Sequence, residues 1–130
     1  MTAFVDTNII IRHMTGDPPD LAARSTAFLA AAEELLIPDL IVAEIVYVLE
    51  SFYEVPPEEV ACLVRSVIAF PAIRTIDVPL LLRALEVYET HRLDFAEAYL
   101  IASAESTGVD EIASFDGAID RIPTVSRIEP

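Results

Sequence analysis

The chain of 130 residues contains no lysine, so its eight cationic side chains are all arginine. Schiff-base catalysis and P-loop handling of phosphate both depend on a lysine and are therefore excluded. Against the eight cations stand 22 acidic residues, which gives a formal net charge of −14. This charge repels polyanions, so tight nonspecific DNA binding by the chain alone is not expected. If the chain acts on nucleic acid, it needs divalent cations, a cationic partner, or both.

Cysteine and long apolar runs are also scarce. The single cysteine, Cys62, excludes an internal disulfide and a thiolate metal cluster. Its valine-rich surroundings predict a buried structural thiol. The longest apolar runs, such as 40–43 and 98–102, are too short to span a membrane, and no secretory signal is visible. With 54% hydrophobic and 23% charged residues, we expect one soluble, cytoplasmic domain covering 1–130.

Hydrophobic periodicity and turn residues predict strands alternating with helices. Five short strands are expected, at 1–5, 35–37, 73–76, 111–115 and 124–128. Helices are expected at 9–14, 19–34, 40–53, 58–70, 78–92 and 94–107, with a short one ending at Arg121. The helix 40–53 is apolar on most sides, which favours a central position, apart from one polar stripe. Such alternation implies a mostly parallel sheet with helices on both faces, an α/β fold.

Carboxylates lie at the ends of predicted strands, at the starts of predicted helices, and on the otherwise apolar helix 40–53. Asp6 and Asp116 each follow a predicted strand, so a parallel sheet would bring them to the same edge. Glu44, with Tyr47 and Ser51, forms the polar stripe of the 40–53 helix. Two further acids lie one turn apart at a helix start, and a last one follows in the short helix: Asp94, Glu97 and Asp120.

Clustered carboxylates cannot all stay ionised unless cations neutralise them, and hard oxygen ligands suit magnesium or manganese. Two such ions can activate water and stabilise the leaving oxygen of a phosphodiester. Taken singly, each acid also has an ordinary structural explanation. Asp6 can cap a helix, Asp94 with Glu97 can form a capping box, and Asp116 can belong to a turn. Asp120 can pair with Arg121 or with solvent.

Several segments, in order along the chain, resemble the PIN domain family, and within it the VapC-type toxins of bacterial and archaeal toxin–antitoxin pairs. These segments are 4–8 (FVDTN), 42–44 (VAE), 94–100 (DFAEAYL), 114–116 (SFD) and 125–130 (VSRIEP). The resemblance covers the whole chain. It implies a three-layer α/β/α sandwich with a central, mostly parallel sheet of about five short strands.

The resemblance further implies a magnesium- or manganese-dependent ribonuclease that forms a homodimer and is inhibited by a small antitoxin. Its catalytic and metal-binding acids would be Asp6, Glu44, Asp94, Glu97 and Asp116. Thr7, Asn8 and Asp120 would have supporting positions. Phosphate contacts by Arg12, Arg92 and Arg121 are a further hypothesis, with surface ion pairing as the alternative.

One position departs from the family pattern. The family usually has aspartate at both acidic positions of the 94–97 segment, whereas this chain has Glu97, one methylene longer. This difference and the charge of −14 leave a second hypothesis open, namely a catalytically impaired PIN-like module that binds RNA or a protein partner. An aspartate-dependent phosphatase or receiver domain is a poorer match, because the familiar forms use a lysine. A serine hydrolase lacks its Gly-x-Ser-x-Gly motif here.

Overall fold

Five short parallel strands provide the framework of the molecule. A computed structural model describes residues 1–130. The strands are β1 (Thr2–Phe4), β2 (Glu34–Leu36), β3 (Ile73–Arg74), β4 (Glu111–Ala113) and β5 (Ser126–Ile128). All pairings between them are parallel. The predicted α/β class and the five strands are thereby confirmed.

The strands form two hydrogen-bonded sheets, and each belongs to a different compact unit. The first unit, 1–76, contains the sheet β1-β2-β3, and the second, 77–130, contains β4-β5. The sequence predicted one sheet with Asp6 and Asp116 at a common edge. The structure instead places the preceding strands in separate sheets, because β1 pairs with β2 and β4 pairs with β5.

Six α-helices and one 3₁₀ helix connect the strands in the predicted order. The helices are α1 (Thr7–Thr15), α2 (Pro19–Ala31), α3 (Asp39–Ser51), α4 (Pro57–Ile68), α5 (Val78–His91) and α6 (Phe95–Thr107), followed by the 3₁₀ helix Gly117–Arg121. Helix α2 ends earlier than predicted because Glu34 already pairs with Thr2 in the sheet. None of the helices combines the length and apolar sequence needed to cross a bilayer.

The core of the first unit lies between its sheet and helices α1, α3 and α4. Helix α1 packs against α2 and α3, and α3 packs against α4. Ile10, Leu35, Ile45 and Leu49 are almost completely buried. The other side of α3 is open to solvent, since Leu40 and Tyr47 are 78% and 67% exposed. Because one side of α3 is exposed, the expectation that this helix is central is wrong.

The second unit is built around the packing of α5 on α6. Buried aliphatic side chains fill the contact, and the rings of Tyr88 and Phe95 meet edge to face at 6.1 Å. Arg83 of α5 donates from Nε and Nη2 to the two carboxylate oxygens of Glu105 of α6, at 2.7 and 2.9 Å. Gly108, at φ +75°, ends α6 in the left-handed conformation that favours glycine.

Two predictions of burial are wrong. Cys62 is exposed, because α4 turns Val60, Ala61, Val64 and Val67 towards the core and Cys62 falls on the opposite side. Strand β1 was predicted to be buried, but Phe4 is 73% exposed, and the buried apolar residue of this segment is Val5. In both cases the prediction of burial rested on apolar neighbours in the sequence. In the folded chain, the side chain points away from the core.

Helix α3 offers a matched pair of leucines to test this packing. We expect Leu49→Ala, at a fully buried position, to lower the free energy of unfolding by about 2–5 kcal/mol, because a cavity remains. Leu40→Ala, at the exposed start of the same helix, should change it by about 0.5 kcal/mol or less. Urea denaturation followed by circular dichroism measures both. Equal effects of the two substitutions would contradict the assigned orientation of α3.

Candidate metal centre

The site residues of the first unit begin with Asp6, which follows β1 and precedes α1. Asp6 is the N-cap of α1, and its Oδ1 accepts a hydrogen bond from the backbone N–H of Thr7 at 2.8 Å. Thr7 is buried, and its hydroxyl has no hydrogen-bond partner, whereas Asn8 is exposed. Asp6 therefore lies between a strand and a helix, as predicted. An exposed carboxylate lies next to a buried hydroxyl that has no partner.

Glu44 belongs to the same unit and lies on α3. The predicted polar stripe of Glu44, Tyr47 and Ser51 is exposed along its whole length. The buried residues of α3, including Val42, Ile45 and Val46, occupy the opposite side of the helix. Glu44 is thus available to a ligand from solvent.

The second unit brings three of the predicted acids together. Asp94 is the N-cap of α6, and its Oδ1 accepts from the backbone N–H of Glu97 at 2.8 Å, as one half of a capping box requires. Asp116 is the N-cap of the 3₁₀ helix, and its Oδ1 accepts from the N–H of Ala118 at 2.9 Å. The carboxyl of Glu97 is half-buried and interacts with the carboxyls of both aspartates.

The proton affinities of these carboxyls follow from that contact. Burial first, then a hydrogen bond with Asp116 and the negative charge of Asp94, raises the pKa of Glu97 from 4.5 to about 7. The pKa of Asp116 shifts the other way, below its ordinary value. Its hydrogen bond from Ala118 is the largest cause, and the one with Glu97 is next. The two pKa shifts are opposite in direction, so Glu97 is the weaker acid of the pair.

Asp120 has a different partner from those expected. Its two carboxylate oxygens accept hydrogen bonds from Nε and Nη2 of Arg127, each at 3.1 Å. The sequence suggested Arg121 or solvent as partners, and it identified no role for Arg127. No sequence signal indicates this pair, because β5 is short and its arginine has no helical or alternating spacing relative to Asp120. Only the path of the chain brings the two together.

The three arginines predicted to contact phosphate are engaged with the protein's own backbone or lie at a helix end. Arg12 donates weakly, at 3.4 Å, to the carbonyl of Asp17. Arg121 donates from Nη1 to the carbonyl of His91 at 3.1 Å and to that of Arg92 at 3.4 Å, at the C-terminus of α5. Arg92 itself is exposed and takes a left-handed conformation at φ 56°.

The donor chemistry of these residues fits a hard divalent cation. In the second unit Asp94, Glu97 and Asp116 offer carboxylate oxygens, and in the first unit the unpartnered Thr7 hydroxyl lies beside the carboxylate of Asp6. Within neither unit do three such side chains converge in a metal-holding arrangement.

The family model of the PIN domain matches residues 3–125, so the chain belongs to the PIN domain family, which consists of nucleases. Among curated proteins, none matches the chain.

Two solved structures are similar to the chain at low identity. One is the Mycobacterium tuberculosis toxin VapC20, described as cleaving the sarcin-ricin loop, with 16% identity, coverage of 92% of this chain and 93% of that chain, and a TM-score of 0.45. The other is VapBC2 from Rickettsia felis bound to a DNA fragment from their promoter, with 14% identity, coverage of 99% and 98%, and a TM-score of 0.38.

The raised pKa of Glu97 predicts a pH-dependent loss of stability. The folded chain keeps a proton that the unfolded chain releases above about pH 4.5, so the contribution of Glu97 to stability falls as the pH rises from 4.5 to about 7. In the presence of chelator, Glu97→Gln should therefore melt higher than wild type at pH 8, and the difference should disappear near pH 4.5. Thermal denaturation across this range measures it.

Asp94→Asn provides a check on the cause, since asparagine keeps the helix cap but removes the neighbouring charge. In that background the advantage of Glu97→Gln at pH 8 should shrink. A melting difference between Glu97→Gln and wild type that stays constant from pH 4.5 to 8 would contradict the assignment.

Proposed function

We propose that this chain is a divalent-metal-dependent endoribonuclease that hydrolyses RNA phosphodiesters. It would act in the cytoplasm as the toxin of a VapBC-type toxin–antitoxin pair. The observation that carries the proposal is the contact of Glu97 with Asp94 and Asp116 in a chain of the PIN family. Contact of one half-buried carboxyl with two aspartates is unfavourable unless a proton or a cation offsets the repulsion, and this supports the proposal. One family model spanning 3–125 supports a single functional domain.

In this proposal, the ligands of Mg²⁺ or Mn²⁺ are drawn from the five acids of the PIN pattern. The first unit supplies Asp6 and Glu44, with Thr7 and Asn8 in support, and the second unit supplies Asp94, Glu97 and Asp116. When bound, the metal supplies an activated water and stabilises negative charge on the phosphate. Asp6, Asp94 and Asp116 are each fixed by a backbone N–H at a helix start, which orients a carboxylate without a second side chain. Glu97 would give up its proton when the cation binds.

The arginines would guide the RNA backbone in a secondary role. Arg92 is exposed two residues before Asp94, and Arg121 lies five residues after Asp116. Either guanidinium can contact a phosphate next to the one that is cleaved. With a net charge of −14, the chain attracts RNA weakly without its cation, so binding should depend on divalent metal as well as on these side chains.

The partners in this proposal are the RNA substrate, a second copy in a homodimer, and a cognate antitoxin. The antitoxin would place a basic side chain in the acidic site, where it neutralises the charge that the metal otherwise neutralises. The test is the affinity of the chain for the product of the neighbouring gene. If the double variant Asp6→Asn, Glu44→Gln binds this product as tightly as wild type does, the result would count against this mode of inhibition.

The second candidate function is a PIN-like binding module without catalysis. Glu97 favours it, because a residue that keeps a proton against Asp116 is a poorer metal ligand than the usual aspartate. The sharp test is Glu97→Asp. A wild-type protein that cleaves nothing, together with a Glu97→Asp variant that cleaves, would identify a site impaired by this one methylene.

Metal dependence and the loss of one acid together test the nuclease. We expect cleavage of a pool of structured RNAs, tRNA included, in Mg²⁺ or Mn²⁺, none in chelator, and a loss of about a hundredfold or more in Asp6→Asn, because the cap is retained while a ligand charge is removed. Asp20→Asn, an exposed acid of the same unit on α2, serves as the matched control and should cleave like wild type. Cleavage that persists in chelator would point to a contaminating ribonuclease and against the proposal.

A further inference from the structure

Arg127 makes more polar contacts than any other residue around the acids of the second unit. Besides the two bonds to Asp120, its Nη1 donates to the backbone carbonyl of Ser114 at 3.1 Å and to Oε1 of Glu129 at 3.0 Å. Its side chain is only 17% exposed, whereas those of Asp120 and Glu129 are 57% and 59% exposed. The guanidinium is thus the half-buried centre of a small network.

This network encloses the segment that carries Asp116. Ser114 lies before Asp116, and its hydroxyl accepts from the Asp116 N–H at 2.9 Å. Asp120 lies after it, in the 3₁₀ helix. The N–H of Ser114 is in turn bonded to the carbonyl of Ile128 in β5 at 3.0 Å. Arg127 therefore joins both ends of the Asp116 turn to β5.

We propose that Arg127 is a positioning residue that fixes the Asp116 carboxylate for cation binding by bridging Ser114 and Asp120. The inference rests on the proposed function, since it assigns Asp116 as a ligand. It also gives a physical content to the supporting position of Asp120, because both of its oxygens accept from Arg127 and not from a ligand. A carboxylate whose oxygens are both bonded to a guanidinium is a poor cation ligand.

The role requires arginine and not merely a positive charge. Arg127 reaches two carboxylates and one carbonyl through three nitrogens in fixed directions, which the single ammonium of lysine cannot do. The chain is suited to this test, because Arg83 makes an equivalent bidentate pair with Glu105 elsewhere in the same unit. Arg83 also pairs with Glu86 but has no contact with the Asp116 turn.

The experiment compares wild type, Arg127→Met, Arg127→Lys and the control Arg83→Met by two measurements on the folded protein. Backbone amide exchange by NMR, without metal, reports the order of the Asp116 turn through the N–H groups of Asp116 and Ala118. Titration with Mn²⁺ reports metal affinity, and Asp116→Asn in the wild-type background shows whether that affinity uses the proposed ligand.

In Arg127→Met we expect the backbone amides of Asp116 and Ala118 to exchange faster. We also expect this variant to bind Mn²⁺ about tenfold or more weakly, the usual effect of losing a residue that orients a ligand. In Arg127→Lys, amide exchange and Mn²⁺ affinity should change in the same directions. This variant keeps the positive charge and serves as the test protein if Arg127→Met does not fold. Arg83→Met should lose thermal stability while its Mn²⁺ affinity stays within about twofold of wild type.

Unchanged amide exchange in both Arg127 variants would overturn the bridge, and faster exchange with wild-type Mn²⁺ affinity would overturn its role in cation binding. These failures are distinct from that of the proposed function. If wild type binds no Mn²⁺, or if Asp116→Asn binds it equally well, the ligand assignment itself is wrong and the positioning role is overturned with it.

Discussion

The contact of the Glu97 carboxyl with those of Asp94 and Asp116 is the constraint on which the acids of the second unit depend. Burial, together with the repulsion between neighbouring carboxylates, raises the pKa of Glu97. The starts of α6 and of the 3₁₀ helix hold the two aspartates in place through backbone N–H groups. In the proposed function, a divalent cation would take the place of the proton and reduce the same repulsion.

Helix capping and the proposed ligand role are not competing explanations of these acids. Asp6, Asp94 and Asp116 are all N-caps, and each accepts one backbone N–H. The cap fixes the direction of the carboxylate, and the positive end of the helix dipole lowers the cost of placing a charge there. A residue that caps a helix is thus held in one orientation, and in the proposed function this fixed carboxylate would also serve the metal. This is why the residue pattern alone could not separate the structural explanation from the functional one.

The sequence was most informative where the physics is local. The strand-to-helix turn at Asp6, the cap at Asp94 and the glycine end of α6 depend on neighbours within four residues, and all three are present. It was least informative where a contact joins distant segments. The exposure of Cys62 depends on how α4 packs, and the bridge from Arg127 to Ser114 and Asp120 depends on the pairing of β4 with β5. The division of the strands into two sheets is a long-range property of the same kind.

The distribution of arginine decides how a chain with a net charge of −14 could act on RNA. Several of the eight guanidiniums are already committed within the fold: Arg83 and Arg127 to carboxylates, and Arg74 and Arg121 to backbone carbonyls. Hydrogen bonds to carbonyls leave the charge of a guanidinium intact, but eight cations stand against 22 acids, so the chain as a whole repels a polyanion. Even two bound divalent ions would leave a net charge of about −10. In the proposed function, RNA binding would therefore depend on the local charge of the cation site and on contacts with a shaped RNA, which favours a narrow set of structured targets over indiscriminate degradation.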